Sequence, residues 1–103
     1  MVTLKEIRND LKDIKYYMMR KNVFENSNMS VGKNRALEKL NIYNEMICSA
    51  PPRLYDVYVS LYLKSNTQES LADQLGYSEV YISLLNGKLV KFFQDEFKKK
   101  EVK

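Results

Sequence analysis

Leu4, Ile7, Leu11, Ile14 and Met18 recur at spacings of three, four, three and four, with charged residues in most of the gaps. This heptad-like seam predicts an amphipathic helix over residues 4–22, with Thr3 as N-cap and Glu6 three positions on. Residues 22–32, rich in Asn and Ser, break the period and read as a loop, with Val23, Phe24 or Met29 as candidate anchors. The stripe Ala36, Leu37, Leu40, Tyr43 and Ile47 predicts a second helix over 33–49. Pro51 and Pro52 end it, because a residue before proline avoids the α region. Pro52 also suits the first position of a third helix, 52–64, whose apolar face is Leu54, Val57, Tyr58, Leu61 and Tyr62. Ser65 and Asn66 form a break. Thr67 caps a fourth helix over 68–75, and Ser78 caps a fifth running from Glu79 to about Lys99. Gly87 marks a place for that helix to kink or restart, since an interior glycine costs about 1 kcal/mol relative to alanine.

Five helices and no sheet make an all-α domain. Residues 1–50 form a helical region for packing or dimerisation, and residues 51–103 a second region completing one compact domain. The first helix is too short to stand alone and needs a partner. That partner is either the rest of the chain or a second copy. In the second case Leu4, Ile7, Leu11, Ile14 and Met18 form a homodimer interface, widened by Tyr16, Tyr17 and Met19.

Composition narrows the chemistry. Histidine is absent and Cys48 is the one cysteine. Structural zinc sites, intramolecular disulfides and His-based triads are therefore excluded. No phosphate-binding glycine loop or nucleophile elbow is present, and Asp95 and Glu96, being adjacent, project in different directions on a helix. The expectation is a non-enzyme without metal or cofactor. No apolar run approaches a membrane span or a signal peptide, so the expected location is the cytoplasm. Most of the tyrosines and phenylalanines on the stripes, Tyr43, Tyr58, Tyr62, Phe92 and Phe93, are expected in the core. The net charge is +4, and the excess lies at the ends. Lys5, Arg8, Lys12, Lys15, Arg20 and Lys21 outnumber Glu6, Asp10 and Asp13 at the start, and lysines dominate after residue 88. The terminal lysine run reads as a solvated tail.

The segment TQESLADQLGYSEVYISLL, residues 67–85, carries the functional information. Two short helices flank the turn Gly76-Tyr77-Ser78. Leu71, Ala72 and Leu75 face inward from the first, and Ile82 and Leu85 from the second. Ala72 permits a close crossing and Gly76 permits the turn. This is the spacing of a DNA-binding helix-turn-helix, whose second helix enters the major groove.

The wider stretch PRLYDVYVSLYLKSNTQESLADQLGYSEVYISLLNGKLVKFF, residues 52–93, resembles region 4 of bacterial sigma factors. The matching features are Pro52 opening a helix, then Val57, Val59, Leu61 and Tyr62, the helix-turn-helix, and a continuation through Leu89 and Phe92. In layout the whole chain is similar to sigma-region-4-like regulators of phage late transcription, of the RinA and ArpU type. The resemblance implies a sequence-specific, phage-encoded regulator that binds double-stranded DNA.

The recognition helix then offers Glu79, Val80, Tyr81, Ser83 and Asn86, with no basic residue among them. Glu79 suits a cytosine amine, Val80 a thymine methyl, and Tyr81 and Ser83 a base edge or phosphate. Phosphate contacts fall to Arg53, Lys64, Thr67, Ser78, Asn86, Lys88 and Lys91. With so few cations the monomer binds weakly, which makes dimerisation or help from RNA polymerase more necessary. The other reading is an interaction module that keeps the helix-turn-helix fold and binds RNA polymerase or another regulator as adaptor or antagonist. The Arg-free segment 64–88 favours it. A third is the DNA-recognition subunit of a phage packaging machine.

Overall fold

Thr3 begins the fold as expected: its hydroxyl accepts from the Glu6 backbone N–H at 3.1 Å, satisfying one of the donors a helix start leaves open. A computed structural model describes the backbone of residues 2–26 and 35–101, with side chains over 2–21 and 37–100. The elements are α1 (Leu4–Asn26), α2 (Arg35–Ile47), α3 (Pro52–Tyr58), α4 (Gln68–Leu75) and α5 (Glu79–Glu101). There is no strand among the described residues, so the chain is all-α.

α1 runs four residues past the predicted end, through Asn26. The expected loop anchors Val23, Phe24 and Met29 lie outside the described side chains. α3 starts at Pro52 with Pro51 at the cap position. It does not run to residue 64 as a regular α-helix. From Val59 to Leu63 it widens into a π-helical turn, and the Lys64 N–H reaches back to the Val59 carbonyl at 2.8 Å. The Asn66 N–H then closes on the Ser60 carbonyl, with Ser65 in the left-handed region at φ 59°. α5 does not end and restart at Gly87; it is one helix of 23 residues.

All five helices feed one core. α1 contributes Ile7, Leu11 and Ile14, each at most 1% exposed, together with Tyr17. α2 adds Leu40, Tyr43, Met46 and Ile47, and α3 with its π turn adds Val57, Tyr58 and Leu61. α4 adds Leu71 and Ala72, and α5 adds Ile82, Leu85, Leu89, Val90 and Phe93. Phe93 meets Tyr43 and Tyr58 edge-on at 4.8 and 5.6 Å between ring centres, a favoured aromatic geometry. The core aromatics stand as expected, with Tyr62 and Phe92 half-buried at its margin.

The reading of the α1 seam as a dimer interface is corrected at its centre. Ile7, Leu11 and Ile14 are covered by the chain's own helices, because α1 packs on α2, the π turn and α5. Leu4, 43% exposed, and the half-buried Met18 stay at the seam's edges. Of the residues expected to widen the interface, Tyr17 is in the core, whereas Tyr16 and Met19 are exposed.

α1 is tied to α2 by a polar cluster as well. The Tyr43 hydroxyl donates to Asp10 Oδ2 at 2.7 Å. Lys39 Nζ bridges Asp10 and Asp13 at 3.1 and 2.9 Å. Burial, then the bond to Asp10, pushes the Tyr43 hydroxyl well above its ordinary value, and Asp13 and Asp10 hold Lys39 above its own.

Candidate nucleic-acid interface

The α4–turn–α5 unit is built by its caps. The Thr67 hydroxyl accepts from the Ser70 N–H at 3.0 Å and starts α4. Gly76 ends α4 at φ 72°, a left-handed conformation that costs an L-residue with a side chain about 1–2 kcal/mol. The Ser78 hydroxyl then accepts from the Tyr81 N–H at 3.1 Å and starts α5. Leu71, Ala72, Ile82 and Leu85 are buried between the two helices, as the spacing predicts. Leu75 is not: it is 44% exposed at the end of α4, because the turn begins before a further layer of core can form over it.

α3 packs along α5, and α4 packs on both α5 and the π turn. The first half of α5 is therefore supported from behind and open in front. Glu79, Val80, Ser83, Leu84 and Lys88 are exposed, Val80 at 80%. Lys91 continues the same face, paired loosely with Asp95 at 3.7 Å. Lys64, Thr67 and Ser78 are exposed at the ends of the flanking elements. Among the described residues neither Lys64 nor Lys88 forms an ion pair.

Asn86 is a correction. Expected on the exposed face as a phosphate contact, it is only 8% exposed, and its side-chain oxygen accepts from the Tyr62 hydroxyl. It falls between Ile82, Leu85, Leu89 and Val90 on the packed side of α5. Its polar side chain suggests the surface, and the partner that makes burial tolerable sits 24 positions away in the chain. Burial raises the Tyr62 hydroxyl, with the bond to Asn86 and the charge of Arg8 opposing.

The structure brings together Arg53, Tyr77 and Tyr81. The Arg53 guanidinium donates to the Tyr81 hydroxyl and lies 5.5 and 6.0 Å from the centres of the Tyr77 and Tyr81 rings. The rings themselves meet edge-on at 4.9 Å. Cation–π attraction of this kind is worth about 0.5–1 kcal/mol at an exposed site. A cation from α3 thus stands at the start of α5, where the helix's own sequence has none. Tyr81, expected to face a base directly, is half-buried in this cluster. It accepts there and keeps its hydroxyl proton to donate. Tyr77 has no role that its residue type and spacing would announce.

Beside the open face runs a groove of about 780 Å³, walled by Pro51 and Leu54 of the α3 start and by Val80, Leu84, Gly87 and Phe92 of α5, with Lys88 and Lys91 at its rim. Among the described residues no group of acids or cysteines is placed to hold a metal ion, and no helix is long and apolar enough to cross a membrane. No family model, no curated protein and no solved structure matches the chain.

Proposed function

We propose that the chain is a sequence-specific double-stranded DNA-binding regulator of transcription, with α5 as its recognition helix. The observation that carries this reading is the α4–Gly76–α5 geometry, in which the first turns of α5 stand open while α3 and α4 support them. Such a helix presents its early residues to base edges in the major groove. Glu79, Val80 and Ser83 take that role, and Tyr81 joins them through its hydroxyl. Arg53, Lys64, Lys88 and Lys91, with Thr67 and Ser78, grip phosphates. The sigma-region-4-like sequence pattern supports a phage-type regulator acting beside RNA polymerase, in the cytoplasm of its host.

Selection from randomised duplexes, followed by a salt titration, tests the proposal. Glu79→Ala and Ser83→Ala are expected to change the selected sequence and cost about 1–3 kcal/mol on the wild-type site. Lys88→Ala is expected to weaken all duplexes alike and lower the salt slope by about one unit. The proposal fails if the wild-type chain binds no duplex at low salt.

One observation favours a second reading. Val80 and Leu84 are large, apolar and open, beside a groove of matching character. Exposed apolar surface of this kind marks protein contacts. In this reading the same face docks RNA polymerase or another regulator, and Leu84→Glu abolishes that capture. Homodimerisation then has no need of the α1 seam.

A further inference from the structure

The charges on α1 are sorted into stripes. Ile7, Leu11 and Ile14 form the buried line. Glu6, Asp10 and Asp13, at spacings of four and three, lie on one side of it. Lys5, Arg8, Lys12 and Lys15, at spacings of three, four and three, lie on the other, since residues three and four apart share a helix face. The acidic stripe faces α2, where Lys39 binds both Asp10 and Asp13. On the basic side Lys15 is half-buried, and Lys5, Arg8 and Lys12 are exposed. Among the described residues none of its four cations pairs with a carboxylate.

Hydrogen bonds at its two ends and the packing between them fix where α1 runs. Lys15 Nζ donates to the Asn66 carbonyl at 3.4 Å, which places it at the start of α4, two residues from Lys64. Further along, α1 packs on the π turn and on α5. At the near end, Gln94 of α5 donates to the Val2 carbonyl at 3.3 Å and accepts from Lys91 at 3.2 Å. Lys15 therefore lies near Lys64, just before α4, and the N-terminal end of α1 lies near Lys91 of α5. A row of cations without carboxylate partners, on a helix that packs against α5, fits a polyanion with regularly spaced charge.

We infer that the Lys5, Arg8, Lys12 and Lys15 edge of α1 is a second duplex contact, gripping the phosphate backbone alongside the major groove that α5 enters. This rests on the duplex-binding reading. It answers the shortage of cations on the recognition helix. The N-terminal half supplies non-specific affinity, and α5 supplies the choice of sequence.

The test compares the full-length wild-type chain with Lys5→Gln/Arg8→Gln/Lys12→Gln and with Lys88→Gln/Lys91→Gln. Lys5, Arg8 and Lys12 are exposed, and circular dichroism checks that helicity is kept. Fluorescence anisotropy on a randomised duplex of about 30 base pairs, from about 50 to 200 mM salt, reads the slope of log affinity against log salt. The α1 variant is expected to lower that slope by about two to three units, while selection returns the wild-type sequence. An unchanged slope in the α1 variant, with a reduced one in the α5 variant, overturns the inference and leaves the duplex reading standing. A wild-type chain that binds no duplex at the lowest salt overturns both.

Discussion

Asn86 and Arg53 both end up where a polar residue has to be accounted for. Asn86 is tolerated in the core because Tyr62 donates to it. A buried acceptor that loses its partner costs about 1–3 kcal/mol, more than the bond contributes when intact. Tyr62→Phe is therefore expected to lower stability by that amount in urea unfolding. Adding Asn86→Leu in the same chain should recover part of it. A Tyr62→Phe chain as stable as wild type would mean that water already serves Asn86. Arg53 was legible as an exposed flanking cation from its type and place. Its seat against Tyr77 and Tyr81 was not, because a contact 28 positions apart leaves no periodic trace. Residue type suggested that Asn86 was exposed, whereas its helical position, four past Ile82 and three before Leu89, points inward. The period was the better guide.

At the level of elements, the caps and breakers were legible because each acts on its own neighbours. Thr3, Thr67 and Ser78 each accept a backbone N–H, Pro52 opens α3, and Gly76 turns the chain. The π turn at Val59–Leu63 was not legible, since no glycine or proline stands there to mark a break in the helix. The continuity of α5 through Gly87 follows from packing. Leu85, Leu89, Val90 and Phe93 bury the helix on both sides of the glycine, and that packing outweighs about 1 kcal/mol of unfavourable propensity. A Cβ added at Gly87 would meet nothing within 4 Å. Gly87→Ala is thus expected to stabilise the fold by about 0.5–1 kcal/mol, read as a higher midpoint of thermal unfolding. A lower midpoint would show that α5 needs local freedom there.

Over the whole molecule, the polar cluster between α1 and α2 sets the response to alkali. Tyr43 and Lys39 both hold their protons more tightly in the fold than their ordinary values, 10.0 and 10.5, would allow. Burial raises Tyr58 in the same direction. The unfolded chain therefore releases these protons first as pH rises. The native state binds more protons above that point, so stability falls with increasing pH. Urea unfolding should give a steady free energy up to about pH 9 and a decline above about pH 10. Tyr43→Phe should make the decline shallower, and a profile that stays flat well above about pH 10 would contradict this sign. The α1 seam was legible as a buried stripe. Whether its cover came from within the chain or from another copy was not, since a heptad pattern looks the same in both settings.

The bond between Tyr62 and Asn86 also governs direction. Apolar packing tolerates a helix rolling about its own axis, because one methyl group can replace another against the same wall. A step of one residue in an α-helix is a rotation of about 100°. Rolling α5 by even part of that step would carry the Asn86 amide away from the one hydroxyl that satisfies it. The bond sits two turns along α5 from Glu79, so it sets the azimuth at which Glu79, Val80 and Ser83 emerge. Whatever surface those residues meet, its register on the molecule is indexed by a single buried amide.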